Sequence, residues 1–79
     1  MGNAELDRHI LSACDARWLK VARVLYHATA SAGLSKTEWA DRALTKRLIV
    51  LGRKGKVQLA GNPRDWRASE VRLAPENSA

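Results

Sequence analysis

The chain has 79 residues, 46% of them hydrophobic and 28% charged, with 14 lysines and arginines against eight acids for a net charge of +6. That length allows one domain, which buries only about 60% of its unfolded surface, so the core is small and every apolar face is needed. The balance excludes a disordered tail, the lone Cys14 excludes an internal disulfide, and no apolar run reaches the roughly 18–20 residues of a membrane span.

The elements follow in chain order. Asn3 is placed to cap a first helix over 4–13, with Glu5 and Asp7 in the first turn, where the helix dipole favours acids. Leu6, Ile10, Leu11 and Ala13 recur at helical spacing. Asp15 reads as the cap of a second helix over 16–31. Trp18, Val21, Ala22, Leu25, Ala28 and Thr29 share its apolar face, and Arg17, Lys20, Arg23 and His27 lie opposite. Gly33 is positioned to end it.

A third helix is predicted over 36–53. Ser35 and Glu38 form a capping box, and Leu34 and Trp39 stand as a hydrophobic staple. Its inward stripe is Ala40, Ala43, Leu44, Leu48 and Leu51, whereas Arg42, Thr45, Lys46, Ile49 and Arg53 point outward. Arg47 falls on the inward side and is expected to pair with an acid such as Asp7 or Asp15. The helix is expected to stop at Gly55.

The period then changes to two, predicting a hairpin over 56–73. Val57 and Leu59 face one way in KVQLA, and Arg67, Ser69, Val71 and Leu73 share one face of RASEVRL. Between them GNPRD is dense in turn chemistry: Gly61 tolerates positive φ and Asn62 bonds its own backbone. Residues 74–79 read as a free tail. The fold class is therefore mainly α with a C-terminal β-hairpin, a winged helix-turn-helix-like order of three helices plus a wing. The rival is a plain three-helix bundle with a hairpin packed on it.

The string DRHILSACDARWLKVARVLYHA, the stretch ALTKRLIVLGRKG and the closing SEVRLA resemble a bacterial domain-of-unknown-function family. The likeness runs from Asp7 to Leu73 and lies in packing patterns and glycine positions. It implies a winged-helix-like fold and supplies no catalytic or ligand residue. That family's domain usually ends a longer uncharacterised protein, and this chain is expected to depart from that pattern by standing alone.

Catalysis finds no support in the residues. His9 and His27 lack partners at metal-ligand spacing, and Asp7, His9 and Ser12 fan over different faces of one helix. Cys14 has no neighbouring base, and G-R-K-G is too short to cradle a phosphate. No enzyme, no metal, no cofactor and no small-molecule ligand are expected. A secreted domain of this size would carry several cysteines, and MGNAELDRH is not a signal peptide, so the expected setting is the cytoplasm.

Charge asymmetry points elsewhere. Residues 1–16 sum to −2, residues 17–35 to +3, residues 36–56 to +5 and residues 57–79 to zero. A basic middle attracts polyanions. Arg42, Thr45, Lys46 and Arg53 lie within an arc of about 100° on the third helix and suit the major groove of double-stranded DNA. Lys36 is placed to reach a phosphate, as are Lys54 and Lys56 at the approach to the wing and Arg64 and Arg67 at its tip. Glu38, Asp41, Asp65 and Glu70 dilute the field. The alternative is a protein-contact or dimerisation module with no nucleic acid, using Val24, Ile49 and Trp66 as exposed apolar groups.

Overall fold

A computed structural model describes residues 2–34 and 38–75, without the side chains of residues 38 and 39. The expected capping box, the Trp39 staple and the phosphate contact of Lys36 lie outside the described residues, as does the tail beyond residue 75. The elements run α1 (Asn3–Ala13), β1 (Leu19–Lys20), α2 (Val21–Ser31), α3 (Glu38–Arg53), β2 (Val57–Ala60) and β3 (Glu70–Leu73).

The three expected helices form, with one large correction. Residues 16–20 do not belong to the second helix, which starts at Val21. Leu19 and Lys20 are instead extended and pair antiparallel with Val71 and Glu70. The competing bonds explain the change. The Asp15 carbonyl accepts the Leu73 N–H at 2.8 Å, which ties the end of α1 to the sheet. The Asp15 carboxylate accepts from the Arg17 N–H at 3.4 Å and folds a turn rather than capping a helix. A smaller correction concerns α1: Gly2 occupies the cap position with extended backbone, and Asn3 is already helical.

β3 therefore lies between β1 and β2 in a three-stranded antiparallel sheet. In the β2–β3 pair Val57 faces Leu73 and Leu59 faces Val71. The hairpin is real but shorter on its second side than RASEVRL suggests. Residues 62–69 form successive turns: Asn62 Oδ1 accepts the Arg64 N–H at 3.0 Å, and Ser69 Oγ donates to the Asp65 carbonyl at 2.6 Å. A strand between the first two helices that joins the hairpin gives the winged-helix-like order, where a plain bundle would leave a separate two-stranded flap.

One core serves every element. Leu6 and Ile10 of α1, Val21, Val24, Leu25 and Ala28 of α2, and Leu44, Leu48 and Leu51 of α3 meet Val57 and Val71 of the sheet. The inward stripe read from the helical period is correct, with Ala43 only half-buried. Both α2 and α3 end on a left-handed glycine in the Schellman arrangement. Leu34 N–H reaches the Thr29 carbonyl and Gly33 N–H that of Ala30; Lys56 N–H reaches Leu51 and Gly55 N–H reaches Gly52.

Candidate nucleic-acid interface

The outer face of α3 and the β2–β3 connection together line a groove of about 670 Å³, with Arg42, Lys46, Ile49, Arg53, Arg64 and Trp66 among its walls. The first four follow at spacings of four, three and four, a stripe about 60° wide and roughly 16 Å long. Arg42, Lys46, Arg53 and Arg64 are exposed, and Ile49 is half-buried among them. Among the described residues, Lys46, Arg53 and Arg64 have no ion-pair partner. Asp41 is the only carboxylate among those residues to line the groove.

Trp66 holds the groove together. Its indole Nε1 donates to Thr45 Oγ1 at 3.0 Å. Its carbonyl accepts the Ala22 N–H at 3.3 Å, and the Ser69 carbonyl accepts the Val21 N–H at 3.1 Å. Those two N–H groups open α2, which lacks a side-chain cap, so the connection supplies the cap from its backbone. The wing is thus strapped across α2 and α3, and Arg64, two residues before the tryptophan, is carried to the α3 face.

Thr45 lines the groove as expected, but it is half-buried, donating to the Asp41 carbonyl at 2.8 Å while accepting from Trp66, so its hydroxyl is already committed to the fold. Other expected site residues lie elsewhere. Lys54 and Lys56 line a separate depression with Asp7, Arg8 and Leu11 on the α1 side. They diverge because the helix turns by about 100° per residue, which carries Lys54 off the stripe after Arg53. Arg67 is exposed in the turns and lines neither surface. Of the expected apolar contacts, Val24 is fully buried in the core. Trp66 is half-buried against that core rather than presented to a partner.

Arg47 does what its inward position requires. Its Nε and one Nη each donate to an Asp7 carboxylate oxygen at 2.8 Å, a bidentate pair between α3 and α1. These hydrogen bonds hold the Asp7 carboxyl below its ordinary value, with the nearby charges of Arg47 and Lys54 adding to the effect. The same contact raises the Arg47 guanidinium. Asp15 pairs weakly with Arg17, at 3.4 Å.

Two remaining groups bear on chemistry. His9 Nδ1 lies 2.8 Å from Ser31 Oγ, but that hydroxyl also meets the Ala28 carbonyl and the contact is exposed, so the pair braces α1 against α2. Burial pushes the Cys14 thiol up to about 11, away from the thiolate that a nucleophile requires. Among the described residues no three potential ligands converge on a metal site.

Sequence reasoning missed one cluster. Trp18, expected in the core, is 40% exposed beside the sheet. The Arg72 guanidinium stacks over its ring, 4.8 Å from the centroid. Arg72 Nε in turn donates to Gln58 Oε1 at 2.7 Å. Along this segment Leu19 and Val21 turn inward and Trp18 and Lys20 outward, but apolar residues at 18, 19 and 21 fit the helical period that follows as well as an extended one.

Compared with protein-family models, curated proteins and solved structures, the chain finds no significant match. The likeness noted from the sequence therefore rests on the residues that carry it.

Proposed function

We propose that this domain binds double-stranded DNA, laying the outer face of α3 along the major groove while Arg64 of the wing meets the adjoining backbone. The observation that carries this reading is the shared groove in which Lys46, Arg53 and Arg64 converge without a carboxylate partner among the described residues. Long cationic side chains on a surface-exposed helix suit phosphates and guanine edges. The strapped wing fixes Arg64 before DNA arrives, so less ordering is required on binding. The reading includes no catalytic step. It retains the family resemblance and places the domain in the cytoplasm, where the lone Cys14 stays reduced. No helix of the described residues is long and apolar enough to cross a membrane.

The test is fluorescence anisotropy with a labelled duplex across a salt series. Each phosphate contact contributes about −0.9 to the slope of log affinity against log salt. Lys46→Ala, Arg53→Ala and Arg64→Ala are each expected to flatten that slope by about one phosphate contact. A salt-independent affinity, or variants that leave the slope unchanged, refutes the reading. Protein contact remains the second reading, favoured by Tyr26, which is 63% exposed on α2, and by Ile49. A dimer-sized peak in gel filtration with no DNA retardation selects it.

A further inference from the structure

We infer that the surface between the sheet and α3 takes an unpaired DNA strand, one base stacking on Trp18, next to the duplex held by α3. This rests on the duplex reading and adds a second ligand class to the same cationic face. A groove of about 900 Å³ has Trp18, Leu59 and Pro63 among its walls, together with Ile49, Arg53 and Arg64. The last three also line the groove on the outer face of α3, so the two surfaces are contiguous around β2.

The chemistry favours a single strand. One face of the Trp18 indole is covered by Arg72, which Gln58 holds in place, while 40% of the residue stays exposed. An aromatic ring fixed by a guanidinium is a preformed platform, because its rotamer is ordered before a ligand arrives. Bases inside a duplex have no free π-face, but those of an unpaired segment do, and such stacking tolerates any sequence. Arg53 and Arg64, on the edge shared by the two grooves, meet the phosphates where the unpaired strand leaves the duplex.

The experiment uses the full chain and three labelled probes: a blunt duplex, the same duplex with an oligothymidine extension, and the oligothymidine alone. The wild type is expected to bind the extended duplex about tenfold more tightly than the blunt one, the order of one base–aromatic stack. Trp18→Ala abolishes that advantage and leaves blunt-duplex affinity unchanged. Should Trp18→Ala fail to fold, Trp18→Phe serves: it keeps most of the gain, but the additional quenching of tryptophan emission by the extended probe over the blunt one is lost. An extension that adds no affinity, or a Trp18→Ala loss equal on blunt and extended probes, overturns the inference. Trp18-dependent binding of oligothymidine without any blunt-duplex binding overturns the duplex reading, and with it the placement beside a duplex, and leaves only a single-strand site at Trp18.

Discussion

The two faces of α3 use the same residue types for opposite ends. Lys46 and Arg47 are adjacent in sequence, yet Arg47 is committed to Asp7 through two hydrogen bonds of 2.8 Å while Lys46 stands exposed at the groove. The inner face carries Leu44, Leu48 and Leu51 into the core; the outer face carries Ile49, half-buried, between cations. Charge alone therefore does not identify a binding residue. What separates Arg47 from Lys46 is that the fold already pairs the Arg47 guanidinium with a carboxylate.

The sharpest way to test that division is to truncate one residue from each face. Leu48→Ala removes a fully buried side chain and is expected to cost about 2–5 kcal/mol. Against a domain stability of about 5–15 kcal/mol, that leaves a small domain close to unfolding. Lys46→Ala is expected to stay within about 0.5 kcal/mol of the wild type. Urea melts of the two variants check both. A large loss in Lys46→Ala breaks the distinction between the faces.

The wing is the next place to press. Gly61 has φ of +82°, and a Cβ there would stand 3.1 Å from the Ala68 carbonyl oxygen. Gly61→Ala is expected to cost about 1–2 kcal/mol from the left-handed conformation, with crowding added. Its thermal melt is therefore expected to fall between those of the Leu48 and Lys46 variants. Trp66→Phe removes the indole donor to Thr45, a loss of about 1 kcal/mol, together with part of a ring packed against the core. Amide exchange at Ala22, whose N–H the Trp66 carbonyl accepts, then reports whether the strap has loosened. Faster exchange there, with the α3 core amides unchanged, ties the wing to the outer face; unchanged exchange means that the tryptophan donor does not hold the strap.

Much of this division is legible in the sequence. The helical period places Leu44, Leu48 and Leu51 inward and Arg42, Lys46 and Arg53 outward, and it also places Arg47 toward an acid. What it cannot contain is any contact set by pairing over long sequence distance. Thr45 sits on the outward arc by angle, but Trp66, 21 residues later, folds onto it. Leu19 and Lys20 pair with a strand about fifty residues away, so local helical preference fails there. Val24, expected among exposed apolar groups, is buried because α2 is packed on more than one side, by α1, α3 and the sheet together. Lys54 and Lys56 are near Arg53 in sequence but turn toward α1.

The finest comparison between the faces is their response to acid. The Asp7 carboxyl titrates below its ordinary value of 3.8 because Arg47 hydrogen-bonds its charged form. A folded-state value below the unfolded one means that the pair's contribution is fully present above about pH 4 and is lost as pH falls through the lower, folded value. Asp15 is lowered too, through the backbone N–H groups of Arg17 and Ala16, so the wild type has more than one acid-sensitive group. The difference between the wild type and Asp7→Asn isolates the inner pair. Urea midpoints are expected to differ at pH 5–7 and to converge as pH falls below about 4. Because only Asp7 differs between the two proteins, the convergence reports on the Asp7–Arg47 pair. Midpoints that stay equally far apart down to pH 2 mean that Asp7 acts through packing rather than through its charge.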